Sequence, residues 1–310
     1  MIPSNLNPLG ITVNENLPLT LTAEQAGSTV QLTKTGSPTV SGLHYRLGKS
    51  GAWLAYTIGT TITLTNVGDC VQFWNSAESL GLSSSHYVQF VMTGAIKAQG
   101  NTQSLLNYLS YCKNYCFYRM YSGCTALIQS SEFPAMTLAE GCYGYSHYGC
   151  TGLTEMPLFP AMTLARSCYN QAFRGCSNLQ TVKKLPATTL AYAAYYAMFY
   201  NCSSLANVPD KIPALSLPEQ CCNTMFYSCS SLQSAPRICA VSLASNSLSA
   251  AFRYATSLAQ VEVDFTDWFD GATTDWMSGA RSSGTFIKPT DLPEEYGNSR
   301  IRSGWTVVNK

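Results

Sequence analysis

The sequence predicts two architectures in series: a β-sandwich over residues 1–100, then an α/β solenoid built from stacked 26-residue repeats. Two observations carry this. Short β-branched and aromatic stretches recur through the first hundred residues, with Gly and Ser breaks between them. Beyond them, Phe133-Pro134-Ala135-Met136-Thr137-Leu138-Ala139 returns unchanged as Phe159-Pro160-Ala161-Met162-Thr163-Leu164-Ala165. It returns again, softened, as Leu185-Pro186-Ala187-Thr188-Thr189-Leu190-Ala191 and as Ile212-Pro213-Ala214-Leu215-Ser216-Leu217. A fixed period of roughly 20–50 residues marks a stacked array, because one unit cannot bury its apolar face alone.

In the first region the candidate strands are 17–21, 29–33, 45–47, 53–57, 61–64, 71–74 and 87–91. Short strands at this spacing fit an immunoglobulin-like sandwich. The polar run Gln99-Gly100-Asn101-Thr102-Gln103-Ser104 places the domain junction. The solenoid then occupies 101–265 as about six coils, followed by a C-terminal cap over 266–310.

Aligned by Cys, the array shows four columns. The first holds Cys116, Cys142, Cys168, Ala194, Cys221 and Ser247; the second holds Cys124, Cys150, Cys176, Cys202, Cys229 and Ala255. A Leu column runs Leu127, Leu153, Leu179, Leu205, Leu232, Leu258, and an aromatic one Tyr121, His147, Phe173, Phe199, Phe226, Phe252. Constant spacing of apolar columns means coil upon coil. Between the Cys columns, Ala194 to Cys202 reads as a short helix, with Met198 and Phe199 near the inward face of Ala194. An extended piece such as Leu179-Gln180-Thr181-Val182 follows, then Pro and a return loop. Helix, strand and loop in succession describe a leucine-rich-repeat type of solenoid.

Phe-x-x-Cys-Ser-x-Leu followed by Pro-Ala-Thr-Thr-Leu-Ala resembles the BspA-like branch of leucine-rich repeats, common in gut Bacteroidetes and their phages. The resemblance covers 105–265. The β region before it, and the ending around Gly284-Thr285-Phe286-Ile287 and Ser303-Gly304-Trp305-Thr306-Val307-Val308, resemble companions of such repeats.

Composition narrows the function classes. Apolar residues make up 46%, enough for a substantial core, and charged residues only 11%, against roughly 25% in ordinary domains. The net charge of +1 offers no pull toward nucleic acid or anionic lipid. Met1-Ile2-Pro3-Ser4-Asn5-Leu6-Asn7-Pro8 has neither a basic nor an apolar signal region. No run of about 18 apolar residues is present, so no transmembrane helix is expected.

The 13 Cys are odd in number, contain no Cys-x-x-Cys pair, and exchange with Ala and Ser column by column. That exchange argues for a buried thiol ladder rather than disulfides or a metal site. His147 falls in the aromatic column and reads as a core ring, while His44 and His86 lack a nearby acid or Cys motif. Asp264, Asp267, Asp270 and Asp275 lack calcium-loop spacing and read as a solvated cap. Neither a cofactor nor an enzymatic constellation is expected.

Binding is expected on the strand face, where side chains vary while the columns do not: Gln129, Glu132, Thr154, Glu155, Thr181, Lys183, Asn207, Asp210, Gln233, Arg237, Gln260 and Glu262. A second candidate is the Tyr-rich edge at Tyr118, Tyr143, Tyr145, Tyr169, Tyr195, Tyr196, Tyr200, Tyr227 and Tyr254. The expectation is a non-enzymatic recognition or adhesion protein outside the cell, foremost a phage virion component such as a receptor-binding tail or head fibre. The alternatives are a bacterial surface adhesin and a structural or decorating virion protein. Expected partners are a protein or glycan on a bacterial surface, other virion proteins or identical subunits, without nucleic acid or membrane insertion.

Overall fold

The computed structural model describes residues 17–38 and 40–310; the amino-terminal segment read above for a secretory signal lies outside them. The first region forms β1 (Leu19–Ala23), β2 (Ser28–Thr35), β3 (Leu43–Leu47), β4 (Leu54–Ala55), β5 (Thr61–Leu64), β6 (Cys70–Asn75), β7 (Tyr87–Thr93) and β8 (Ile96–Gln99). Each candidate strand coincides with one of β1–β7, and β8 is additional. Two antiparallel sheets result, β4-β3-β6-β1-β8 and β5-β2-β7. They face each other: the rings of Phe73 and Phe90 lie 5.5 Å apart, and the Tyr56 hydroxyl accepts the Leu32 N–H at 2.9 Å. Alternation along β7 turns Val88, Phe90 and Met92 inward. An immunoglobulin order sets the first strand beside the second and the last beside the one before it. Here β1 lies between β6 and β8, and β7 pairs with β2, so the immunoglobulin order is not reproduced.

The chain then winds into an all-β solenoid. The first coil joins the sandwich sheet directly, since β9 (Leu127–Gln129) pairs in parallel with β8. Farther along, β10 (Lys211–Ile212) pairs with β12 (Arg237–Ile238), and β11 (Ser216–Leu217) with β13 (Ser242–Leu243). The ladder of β14 (Gln260–Glu262), β15 (Thr285–Lys288) and β16 (Thr306–Asn309) is parallel as well, so residues 266–310 extend the stack while closing it. Single bridges fill the intervening coils, as Glu155 to Thr181 to Asn207.

The expected helices are not formed, which removes the α/β character. Among the described residues the one helical segment is the 3-10 turn Thr102–Leu106. Between the Cys columns the chain instead makes a train of turns. Tyr118, Met120 and Ser122 donate locally, to the carbonyls of Tyr115, Phe117 and Arg119. The residues between them, Phe117, Arg119 and Tyr121, donate to Cys142, Gly144 and Ser146 of the next coil at 2.9, 3.0 and 2.7 Å. An α-helix requires every N–H to bond four residues back; here every second one leaves the coil.

Positive φ recurs at four-residue steps within each pass, as at Ala193, Ala197 and Asn201, and this reverses the chain before a helix can propagate. The last of these positions is Gly in several coils: Gly123, Gly149 and Gly175 stand where Ser228 stands later, with φ of 71° and 76° at Gly149 and Gly175 and 56° at Ser228.

Inside the coils the aromatic column forms a continuous ring ladder. His147 stacks on Phe173 at 4.7 Å, Phe173 on Phe199 at 5.9 Å, Phe199 on Phe226 at 5.4 Å and Phe226 on Phe252 at 5.6 Å. The second Cys column sits against the backbone of this ladder. Cys150, Cys176, Cys202 and Cys229 each direct a thiol at the carbonyl of the aromatic residue one coil back, namely Tyr121, His147, Phe173 and Phe199, at 3.0–3.1 Å. Burial pushes the Cys124 and Cys176 thiols up to about 12, so they stay protonated and able to donate. All thirteen thiols are free, and Cys239 alone is more than marginally accessible.

Both ends of the stack are sealed. Phe90 of β7 acts as a coil before the first: its ring lies 5.5 Å from Tyr121, and its carbonyl accepts the Cys124 thiol at 3.1 Å. The polar junction is a buried joint rather than an exposed linker. Ser104 Oγ accepts the Leu19 N–H at 2.9 Å and donates to the Phe73 carbonyl at 3.0 Å. At the far end Trp276 terminates the ring ladder 6.1 Å from Phe252. The indole N–H groups of Trp268, Trp276 and Trp305 donate to Pro293, Arg300 and Arg281 carbonyls at 2.8, 2.8 and 2.9 Å.

Two outcomes are expected. Ser228→Gly should raise the unfolding free energy by about 1 kcal/mol, since Gly adopts positive φ without strain. Urea unfolding at unchanged m-value reads this, and a lower midpoint would mean the serine side chain contributes more than the backbone loses. Iodoacetamide on the folded protein should add a single group, at Cys239, and modify every thiol after unfolding. Intact mass decides, and several adducts in the folded state would contradict the packed thiol column.

Candidate ligand groove on the strand face

The strand-face residues are held outward by the parallel ladder. Leu153 and Leu179 are buried, which turns their downstream neighbours Thr154, Glu155 and Gln180 to solvent. Ten of the twelve candidate residues are exposed, and Thr181 and Glu262 are half-buried. The structure does not gather them into one site. Gln129, Glu132, Thr154, Glu155 and Lys183 converge on one groove of about 520 Å³. Arg237 and Glu262 belong to a separate ion cluster, and Asn207, Asp210, Gln233 and Gln260 lie along the face outside the groove. Thr181 makes a weak contact, 3.4 Å, with the Asn207 amide.

The groove has an apolar floor and a charged rim. Ile128, Met156, Pro157 and Leu158 supply the floor, and Glu132, Glu155, Lys183 and Lys184 the charges. Lys183 Nζ lies 2.5 Å from Glu155 Oε1, with both side chains about half exposed, so the pair adds little stability and is free to exchange partners. The floor residues and Lys184 were absent from the sequence-based set. Only the half-buried Pro157 and Leu158 had a signal, in the Met156-Pro157-Leu158-Phe159-Pro160 run; Ile128 and Lys184 had none.

Beneath the groove lies the nearest approach to catalytic chemistry. Ser130, on the groove wall, places Oγ 2.8 Å from His147 Nε2, and Ser146 Oγ lies 3.0 Å from Nδ1. A serine nucleophile needs a base that can take its proton near neutral pH and a carboxylate behind it to hold the imidazolium. His147 has neither. Its ring is fully buried, burial lowers its proton affinity to about 3, and the group behind it is a hydroxyl. The His147 ring serves the ladder, between Tyr121 and Phe173.

The C-terminal ion cluster is tighter. Arg237 lies 2.9 Å from Asp264 and 3.3 Å from Glu262, and Lys310 reaches both carboxylates at 2.5 and 2.8 Å. Burial pushes the Asp264 carboxyl up, but its hydrogen bonds to Lys310 and Arg237 outweigh this and hold it below the usual range. Asp264 is thus a bonded group rather than a solvated one, whereas Asp267 and Asp270 are exposed. Among the described residues no group of three or more His, Cys, Asp or Glu is placed to hold a metal ion. No described helix is long and apolar enough to cross a membrane.

The Tyr-rich edge divides. Tyr143, Tyr169 and Tyr195 are core rings, stacked at 5.8 and 5.9 Å. Tyr118 is nearly buried, Tyr145, Tyr196, Tyr200 and Tyr227 are half-buried, and Tyr254 is exposed.

Comparison of the chain with family models, curated proteins and solved structures finds no match.

The buried histidine has a measurable consequence. An unfolded histidine takes its proton near 6.5 and His147 only near 3. Between those values the unfolded chain binds more protons, so stability falls as pH falls, by about 1.4 kcal/mol per unit. Denaturant unfolding between pH 6.5 and 5 should show this slope in the wild type and lose it in His147→Phe. An unchanged slope in the variant would place the proton uptake elsewhere.

Proposed function

We propose that this chain is a non-enzymatic recognition protein acting outside the cell, and that the groove between Ile128 and Lys184 receives its ligand. The observation that carries this reading is the convergence of five varied strand-face residues on one groove with an apolar floor and a charged rim. A pocket of this size with a few placed polar groups is a usual form for a binding site. The low basicity of His147 supports the non-enzymatic part, because it deprives Ser130 of its one adjacent base.

The preferred setting is a phage virion, with the chain as part of a receptor-binding tail or head fibre and a protein or glycan of the bacterial surface as the ligand. A surface adhesin of the BspA-like type is the alternative setting, and it would use the same groove. A purely structural or decorating role is less favoured. Phe90 and the Trp cluster cover the apolar core at the two ends of the coil stack, so stacking of copies end to end gains little from burying apolar surface there.

The test is binding of the full chain to intact gut Bacteroidetes cells, with and without their capsular polysaccharide. The comparison is a Glu155→Ala/Lys183→Ala double variant. These exposed residues contribute little to stability, so the melting temperature should stay within a degree or two. Cell binding should fall about tenfold, as expected when charge-assisted contacts are lost. Binding that survives the double substitution would remove the groove from the reading, and absence of binding to any cell would remove the recognition role.

A further inference from the structure

The turn segments carry a second surface that uses none of the groove residues. Tyr148, Arg174, Tyr200, Tyr227 and Arg253 occupy one register position in successive coils, at steps of 26 or 27 residues. All five are half-buried. The Arg174 guanidinium lies 4.4 Å from the Tyr200 ring and 6.0 Å from Tyr148. Tyr200 and Tyr227 stack at 4.4 Å and 4°, and Arg253 covers Tyr254 at 5.1 Å. Beside this line Arg119 lies 4.6 Å from Tyr145 and 5.7 to 5.9 Å from Tyr87, Tyr118 and Tyr148.

The charges on this strip are not balanced. Arg166 has Glu140 at 3.7 Å, and Arg253 has Asp275 at 3.5 Å. Among the described residues Arg119 and Arg174 have only neutral hydrogen-bond partners, Ser122 Oγ at 3.4 Å and Gln171 Oε1 at 2.7 Å. Two guanidiniums without a carboxylate, on a chain of net charge +1, concentrate the positive field here.

The packing limits what the strip can receive. Ring faces from Tyr148 to Tyr227 are taken by neighbouring rings or by a guanidinium, so a nucleobase has no open face to stack on, as single-strand binding would require. The strip is half-buried rather than closed off, and the polar atoms that it has to offer are phenol hydroxyls and guanidinium N–H donors. The hydroxyls of Tyr200 and Tyr227 lie together, and the Arg119 and Arg174 guanidiniums lie 5.9 and 6.0 Å from the same Tyr148 ring, about two coils, roughly 10 Å, apart. A ligand matching this is linear, rich in hydroxyls and carboxylated at intervals.

We propose that the Tyr–Arg strip binds an acidic polysaccharide, its carboxylates on Arg119 and Arg174 and its hydroxyls on the tyrosine rim. This stands apart from the groove reading and survives its failure.

Calorimetric titration of the full chain at low ionic strength with polygalacturonate, dextran, polyglutamate and oligothymidylate tests it. Polygalacturonate should bind and dextran should not. Arg119→Gln/Arg174→Gln should weaken binding at least tenfold, the scale of one charge-assisted hydrogen bond lost. Because that pair also packs on the rings, Tyr200→Phe/Tyr227→Phe provides a second arm: the stack is kept, the hydroxyls are removed, and binding should weaken with the melting temperature unchanged. The groove variant Glu155→Ala/Lys183→Ala should bind polygalacturonate as the wild type does. No polygalacturonate binding, undiminished binding by folded strip variants, or equal or tighter binding of oligothymidylate or polyglutamate would overturn the proposal.

Discussion

Every second backbone N–H of a turn segment is spent on the following coil rather than on its own, and the rest of the solenoid depends on that alternation. A local turn bond holds the shape of one pass, while the intervening bond sets its height above the next. Because neighbouring passes must match donor to carbonyl, the coils step by 26 residues, once by 27, before the last passes shorten to 25 from Gln260 to Thr285 and 21 from Thr285 to Thr306. The columns follow. Once Phe173 is aligned over Phe199, the thiol of Cys202 comes within reach of the Phe173 carbonyl. A buried carbonyl with a second partner is better satisfied than one with a single bond, which gives Cys a role in this column beyond filling space.

The same constraint explains how the ends are closed. A stack that donates upward at each level leaves its first and last passes incomplete unless something imitates a coil. Phe90 does so at one end by offering both a ring and a carbonyl at the register of the aromatic column. The sandwich and the solenoid therefore share one apolar core, and the polar residues Asn101 to Ser104 are buried at the joint. At the other end large indoles cover the core beneath the last passes, β15 and β16, each N–H finding a carbonyl of the C-terminal segment.

The lateral faces of the stack differ in kind. The strand face offers a groove whose charges are paired loosely and whose floor is apolar. The turn face offers closed stacks of rings with guanidiniums between them. Between the two lies His147, which shows how one environment suppresses chemistry. Burial makes its ring a good rung in the ladder and a poor base, so the Ser130 hydroxyl beside it remains a hydrogen-bond partner.

Much of this was legible in the sequence. The repeat, the Leu and aromatic columns, the buried free thiols and the seven sandwich strands all follow from side-chain patterns, because burial acts on each residue according to its type. The strand-face residues were legible as outward-facing for the same reason, though not which five would share a groove. The turn train was not legible as such. Ala194 and Met198 are four apart, a spacing that suits a helix of 3.6 residues per turn and equally a turn train that reverses every fourth residue. What separates the two is the partner of each second N–H, and that partner lies some 25 residues away in the next coil, outside any local window. The pairing of β1 with β6 and β8 and of β7 with β2, the carbonyl acceptors of the thiols and the uncompensated Arg174 belong with it. By itself the sequence determined which side chains are buried and at what period; the tertiary structure alone decided how the backbone bonds between coils are shared, because those bonds join residues that no short stretch contains.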